Sequence, residues 1–450
     1  MRIIESIPEL ENFKDELAKS RSFWIPIYSD QYRHYVNTRL SFIYIYLIDL
    51  DDAYIVPFNH KDCICLESER LQELVSGQDI YVLNKKRFTH FYSNEVYDAD
   101  LVSYWQTNLS LDLEDTDTQA HSWFAKWYHN ETNINDIIPI TRHYERCGDI
   151  VKKFMKAFTG FEKDALFDTY DHMVIDNLYS IEQNGMQVDY NVFLESFRTN
   201  NLFRNTAYTE YNIYTSTGRP SNKFGGVNYA ALNKEDGCRK SFVSRYPSGM
   251  LIEMDYDSYH LRLMAKLTGY DLPKESIHAY FGKHYFGTEE LSKEQYEESK
   301  QITFRQLYGR VDDKYKHIEF FQKTSEFIKE LYQTFHANGY IATPIFGRRI
   351  TKEANPGMNA TKLFNYYLQA TETEYSITSI QAVNEVLNDY NTKLILYTYD
   401  SLLFDYDMKD GKECILKIQK AMSNSGDFPV KIKAGADLHD LIDVTSKVLV

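Results

Sequence analysis

Ile252-Glu253-Met254-Asp255-Tyr256 and Leu396-Tyr397-Thr398-Tyr399-Asp400-Ser401-Leu402-Leu403-Phe404 are apolar, β-type segments, and each carries an aspartate. Taken singly, an aspartate at a strand end is ordinarily a turn cap. Brought together, carboxylates from positions 255 and 400 repel unless a cation lies between them, and oxygen-ligated Mg²⁺ bound to substrate phosphates is the usual resolution. The chemistry that uses such a pair is two-metal phosphoryl transfer, in which one ion activates an attacking hydroxyl and the other steadies the leaving oxygen. It requires aspartates on rigid strands rather than on loops.

A third constellation lies between the two. In Lys300-Gln301-Ile302-Thr303-Phe304-Arg305-Gln306-Leu307-Tyr308-Gly309, Lys300, Phe304 and Tyr308 recur every four residues and form one stripe on a helix. The ammonium suits phosphate and the rings suit a base and sugar. In isolation the same spacing describes a core stripe with a snorkelling lysine. Around these points, strands are predicted at Leu251–Tyr256, Leu394–Thr398, Leu402–Asp405 and Val430–Ala434, enclosing a helical stretch from about 275 to 390. That pattern predicts a palm-like sheet with a helical subdomain inserted in it.

The first third alternates differently. Strands are predicted at Arg2–Ile4, Phe23–Tyr28, Phe42–Leu50 and Ala53–Pro57, with a helix over Ile7–Ala18. Helices at Ser122–Tyr128 and Tyr144–Phe158, separated from the strands by the acidic loop Leu111–Asp117, complete an α/β domain closing near residue 160. The helical run from Tyr170 stops at Asn184-Gly185, a glycine C-cap.

Composition bounds the partners. At 450 residues, with 43% apolar and 26% charged residues and no low-complexity tract, the chain is globular and long enough for several cores. Its net charge of −15 has the wrong sign for bulk electrostatic attraction to nucleic acid, so a polyanion must meet a locally basic groove. The five cysteines form no C-x2-C pair, which speaks against structural zinc and a disulfide framework and for a reducing, cytoplasmic setting. The longest apolar run, Phe42–Ile48, is too short to cross a bilayer. The 37 tyrosines are read as packing residues.

In order, these segments resemble the core of family A DNA polymerases, the DNA polymerase I type that includes phage replicative enzymes. Asp255 to Ala265 looks like the family's motif A, Lys300 to Gly309 like motif B, and Tyr399-Asp400-Ser401 like motif C. Thr215-Ser-Thr217-Gly218-Arg219, Asn228, Arg239-Lys-Ser-Phe242, Gly347-Arg348-Arg349 and Asn365-Tyr-Tyr-Leu-Gln369 match flanking family segments in the same order. The resemblance implies an RNase H-like exonuclease-type domain (1–160), a linker and rudimentary thumb (161–213), palm (214–274 and 359–450) and fingers (275–358). It implies primer extension with dNTPs on template DNA. Asp255, Asp400 and the Tyr256 carbonyl would ligate two Mg²⁺ ions, with Mn²⁺ as substitute. Lys300, Phe304, Tyr308, His278 and His260 would meet the nucleotide; Arg219, Arg239, Asn365, Gln369 and Tyr399 would meet DNA.

The departures carry expectations too. His260 stands where the family has a glutamate that excludes a ribose 2′-hydroxyl; Ser401 and Tyr399 replace a glutamate and a histidine. Tyr296 replaces an arginine one turn before Lys300, and Lys293 is the substitute cation two turns away. Pro26 and Tyr28, Phe88 and Cys147 stand where the exonuclease carboxylates belong, so no proofreading is expected. The interval between Asp189 and Thr215 has no room for a long thumb hairpin, which implies low processivity and a clamping partner protein. Arg219, Arg239, Lys240, Arg245, Arg310, Arg348 and Arg349 are the candidate groove cations. The rival readings are a nucleotidyltransferase of relaxed sugar selectivity and a weakly catalytic nucleic-acid-binding subunit; a compact, degenerate family member suits a bacteriophage.

Overall fold

The computed structural model describes residues 1–111, 132–197, 202–273, 276–309 and 311–449. The helix expected at Ser122–Tyr128, the acidic loop beyond Leu111 and Arg310 lie outside the described residues. Two compact units form, Met1–Gln183 and Asn184–Val450.

In the first unit, strands Arg2–Ile3, Asp52–Pro57, Leu40–Leu47, Ser22–Tyr28, Ile80–Val82 and Tyr97–Asp98 lie side by side in that order. The three long central strands are antiparallel, and the strands at 2–3, 80–82 and 97–98 each run parallel to the inner neighbour. This is the order and direction expected of an RNase H-like sheet. Strand alternation sends Trp24, Ile43, Ile45 and Val56 against Leu10, Phe13 and Leu17 of the helix Ile7–Leu17. From the other face, Phe23 stacks on Phe154 at 4.0 Å and Tyr44 meets Tyr144, both on the helix Ile140–Phe158.

The expected boundary near 160 moves to 183 for an electrostatic reason. Fully buried Asp171 accepts from Lys85 Nζ at 2.6 Å and from the Asp98 amide at 2.8 Å, and Glu182 pairs with Lys86. Buried charges keep a partner at close range, so these bonds bind residues 161–183 to the first unit.

In the second unit, strands Lys393–Thr398, Ser401–Tyr406, Met250–Tyr256, Val430–Gly435 and Ile442–Asp443 form an antiparallel sheet in that order. Leu251, Leu403 and Ile395 pack with Met186, Val188, Phe193 and Phe242. Helix Ala360–Leu387 packs beside Gly411–Met422, whose Met422 carbonyl accepts from Tyr256 Oη at 3.1 Å. Between the Asp255 and Asp400 strands come helices Tyr259–Thr268, Ile277–Phe286, Lys293–Tyr308 and Glu319–Asn338, and then Ala360–Leu387. The predicted helical stretch is thus interrupted by a hairpin, Tyr340–Ala342 with Arg349–Thr351.

Two groove cations are corrected here. Arg348 is 1% exposed, and its Nη2 donates to the Thr217 carbonyl at 2.8 Å. Gly218, at φ +73°, allows this approach, since a Cβ there would sit 3.1 Å from the guanidinium. Arg245 donates to fully buried Asp405 at 2.7 Å and to the Asn184 and Gly185 carbonyls at 2.9 and 2.6 Å. Arg348 is an interior fastener and half-buried Arg245 is tied inward by Asp405; the sequence reports their charge but not these partners. Asp405 also accepts from Ser244 Oγ and the Arg245 amide. Asp405→Ala therefore strands several donors and should cost about 2–4 kcal/mol. A lowered midpoint in urea unfolding checks it; an unchanged midpoint would overturn this account of the fastener.

Candidate active site

The two aspartates meet at one end of the second sheet. Asp255 lies opposite Ser401 in the ladder, and the Tyr256 amide donates to the Asp400 carbonyl at 2.9 Å, locking the strand ends together. The link between Thr398 and Ser401 is only Tyr399-Asp400, and Tyr399 takes φ +66°. A bulky residue in the left-handed region is strained and persists only when its surroundings hold it. Here Arg219 lies 3.7 Å over the Tyr399 ring, and Ser376 Oγ donates to the Tyr399 carbonyl at 3.2 Å. The strain is thus spent on aiming Asp400.

The electrostatics mark the pair as competing for charge. Burial first, and Asp400 next, push the Asp255 carboxyl up to about 6, against the pull of Lys433. Burial and then Glu372 raise Asp400, with Arg219 and His260 acting the other way. Cross-strand lysines temper the field: Lys433 Nζ is 2.8 Å from Glu253 and 3.9 Å from Asp255, and Lys431 Nζ is 2.6 Å from Asp257. Among the described residues no group of three His, Cys, Asp or Glu is placed to cage a metal. Two repelling carboxylates on one sheet end fit Mg²⁺, which takes one or two protein carboxylates and completes its shell with water and phosphate oxygens.

The two rings of the predicted stripe meet on one helix. Phe304 and Tyr308 stack at 5.8 Å and 12° on helix Lys293–Tyr308, and Lys300, one turn earlier, is exposed with no ion pair among the described residues. The helix starts at a capping box, Ser292 with Gln295, which fixes its register. His278 is buried and meets Phe304 edge-on at 5.2 Å; burial, then Lys300, lower it to about 4, so it is neutral near pH 7. Asn365 Nδ2 donates to the Tyr308 carbonyl at 3.2 Å, and half-buried Gln369 follows one turn later. Tyr296 touches His278 and accepts from Ser276 Oγ.

His260 is drawn into a network absent from the sequence reading. Its Nδ1 is 2.6 Å from Tyr308 Oη, and its Nε2 is 3.1 Å from Oε1 of Glu372, which is 2% exposed. Arg219 grips the same carboxylate, with Nε at 2.9 Å and Nη2 at 3.2 Å. Glu372 shares a helix face with Asn365 and Gln369, so the spacing is visible in the sequence although its partners are not.

Among the described residues, no contact brings Lys293 or Arg239 to this cluster. Lys293 is the exposed first residue of its helix, two turns, about 10 Å, from Lys300. The Arg239 guanidinium closes a local loop through the Leu232 carbonyl at 3.0 Å.

Comparison with known proteins bears on the fold and the family. No curated protein matches the chain in sequence. Among solved structures it is similar to the POL domain of Pol1 from M. smegmatis, solved in complex with a DNA primer-template and dNTP. The TM-score is 0.69 at 14% identity, over 98% of this chain and 100% of that one, a likeness of fold. The model of DNA polymerase family A matches residues 182–440, more than half of the chain and the whole of the two-aspartate sheet up to its last strand. On that match the chain belongs to DNA polymerase family A, and it is a DNA-directed DNA polymerase.

Proposed function

We propose that the chain extends a DNA primer on a template with dNTPs by two-metal phosphoryl transfer and does not proofread. The observation that carries the reading is the pairing of Asp255 and Asp400 at one sheet end, with the Tyr308 end of the aromatic stripe close enough to feel the Asp400 charge. When bound there, two Mg²⁺ ions would lower the pKa of the primer 3′-hydroxyl and offset charge on the departing pyrophosphate. Asp255 and Asp400, with the Tyr256 carbonyl, would hold the ions. Lys300 meets the triphosphate, and Phe304 and Tyr308 offer the faces along which base and sugar lie. Arg219, Tyr399, Asn365 and Gln369 border the primer-template side; Arg239 and Lys293 are further contacts to DNA and triphosphate, respectively.

In this reading residues 214–274 and 359–450 are palm, 275–358 fingers, and the short stretch after Gly185 a reduced thumb. The stretch holds one helix, Tyr190–Phe197, and short strands among its described residues. So little surface grips duplex weakly, and a processivity partner fits that need. The first unit is structural. Phe88 is fully buried against Trp24 and Tyr92, and Cys147 is 1% exposed, where metal-holding carboxylates would be needed.

A primed template with Mg²⁺ and dNTPs tests both halves. Extension is expected, and a 3′-mismatched primer incubated without dNTPs should keep its length. No extension despite measurable primer-template binding would sink the polymerase reading, and shortening of the mismatched end would sink the absence of proofreading.

A further inference from the structure

The site has a polar network that phosphate chemistry alone does not require. In the polymerase reading the triphosphate meets Asp255 and Asp400 at the sheet end and Lys300 on the stripe helix, and the base lies along Phe304 and Tyr308. A sugar joining base to phosphate would lie between the Tyr308 ring and the Asp255 strand end, and His260 is there: it lies about one turn after that strand and touches Tyr308 edge-on at 5.6 Å. Both nitrogens of that ring face protein groups. Nδ1 is engaged by Tyr308 Oη at 2.6 Å, and Nε2 is buried against the Glu372 carboxylate at 3.1 Å, an ion-pair contact.

We propose that Glu372 is a positioning residue for sugar selection: with its carboxylate 3.1 Å from the buried Nε2 of His260 and Tyr308 Oη on Nδ1, it closes both ring nitrogens to a ribose 2′-hydroxyl. A hydroxyl pressed against such a ring loses its water and gains no partner, whereas the CH₂ of a deoxyribose loses nothing. A site thus rejects a group by leaving it unpaired. Arg219 keeps the arrangement in place from behind. Burial alone would raise the Glu372 carboxyl, but His260 and Arg219 bring it below the usual carboxylate range, so the carboxylate stays ionised. The inference rests on the polymerase reading and deepens it.

The test is single-turnover incorporation of dNTP and rNTP opposite the same template base, read as the ratio of their efficiencies. Glu372→Ala frees Nε2, and the ratio should fall about ten-fold. Glu372→Gln, which keeps an oxygen facing Nε2, should restore most of it. In a His260→Phe background, where the ring has no nitrogens, Glu372→Ala should leave the ratio unchanged, because the two positions are coupled only through Nε2. An equal loss of both efficiencies, with the ratio intact, would make Glu372 merely structural and overturn the proposal; so would the same ten-fold fall in the His260→Phe background. Should Glu372→Ala fail to fold, Glu372→Met, which keeps the volume but offers no oxygen to Nε2, takes its place: a fall in the ratio of about ten-fold supports the proposal, and a ratio within about two-fold of wild type overturns it. A wild type that extends with neither nucleotide overturns the polymerase reading itself, an outcome distinct from all of these.

Discussion

Asp255→Asn should reduce primer extension by about a thousand-fold or more while making the metal-free chain harder to unfold. The two effects have one cause. Asp255 titrates near 6 because burial and Asp400 oppose its charge, against an ordinary value of 3.8. A folded-state pKa above the unfolded one means that the native state binds more protons between those values, so this group's contribution to stability falls as pH rises from about 4 to about 6. Near pH 7 the full penalty is present. The rise from 3.8 to about 6, discounted for a side chain 32% exposed, leaves about 1–2 kcal/mol for the amide to recover. Thermal unfolding in EDTA at pH 7 and at pH 4, beside the extension assay, checks this. Lost activity with a lowered midpoint at pH 7 would mean that Asp255 is structural rather than a strained ligand. A gain seen at pH 4 as well as at pH 7 would point away from charge repulsion.

Lys300→Ala should raise the apparent dissociation constant for dNTP by about a hundred-fold, roughly two to three kcal/mol for a charge-assisted contact with phosphate. Lys300 is the stripe's cation, exposed and without an ion pair among the described residues, so its removal leaves no buried partner stranded. Folding should be unaffected, and primer-template affinity should change little. The alternative, a snorkelling lysine that only covers Phe304, predicts a small change in nucleotide affinity and a small loss of stability. A dNTP titration in single-turnover extension, with Lys300→Arg as the conservative control, separates them. An unchanged dissociation constant would remove Lys300 from the nucleotide site.

Much of this site is readable along the chain because its carriers repeat with the period of their elements. Asp255 interrupts an apolar strand, Asp400 falls in the two-residue turn between two others and not on a strand as the sequence predicts, and Lys300, Phe304 and Tyr308 recur at helical spacing. Glu372 escapes such a reading because a buried charge looks like any other until its partners are known. The only hint is that Glu372 and Glu374 are the sole charges in the long buried stretch from Leu363 to Ile377. Lys431 and Lys433 carry a clearer signal, since their alternation mirrors Glu253 and Asp255, but only the register Glu253 to Lys433 makes them neighbours. Arg245 and Arg348 mislead for the converse reason: a cation in sequence reads as a surface group. The first domain boundary is hidden because Lys85 and Asp171, which fasten the segment, lie 86 residues apart.

The same separation governs how the site comes into being. Glu253 meets Lys433 across 180 residues, and the intervening helices are rich in contacts between near neighbours. Closing so long a loop costs conformational entropy before any strand pair repays it, so local helices form ahead of the sheet. The Asp255 strand waits for partners on both sides, and the second of them arrives only with Val430–Gly435. Catalytic competence is therefore a late event in folding. A refolding chain should regain its helical signal well before it regains primer extension, and destabilising the sheet should lengthen that interval without slowing the helices.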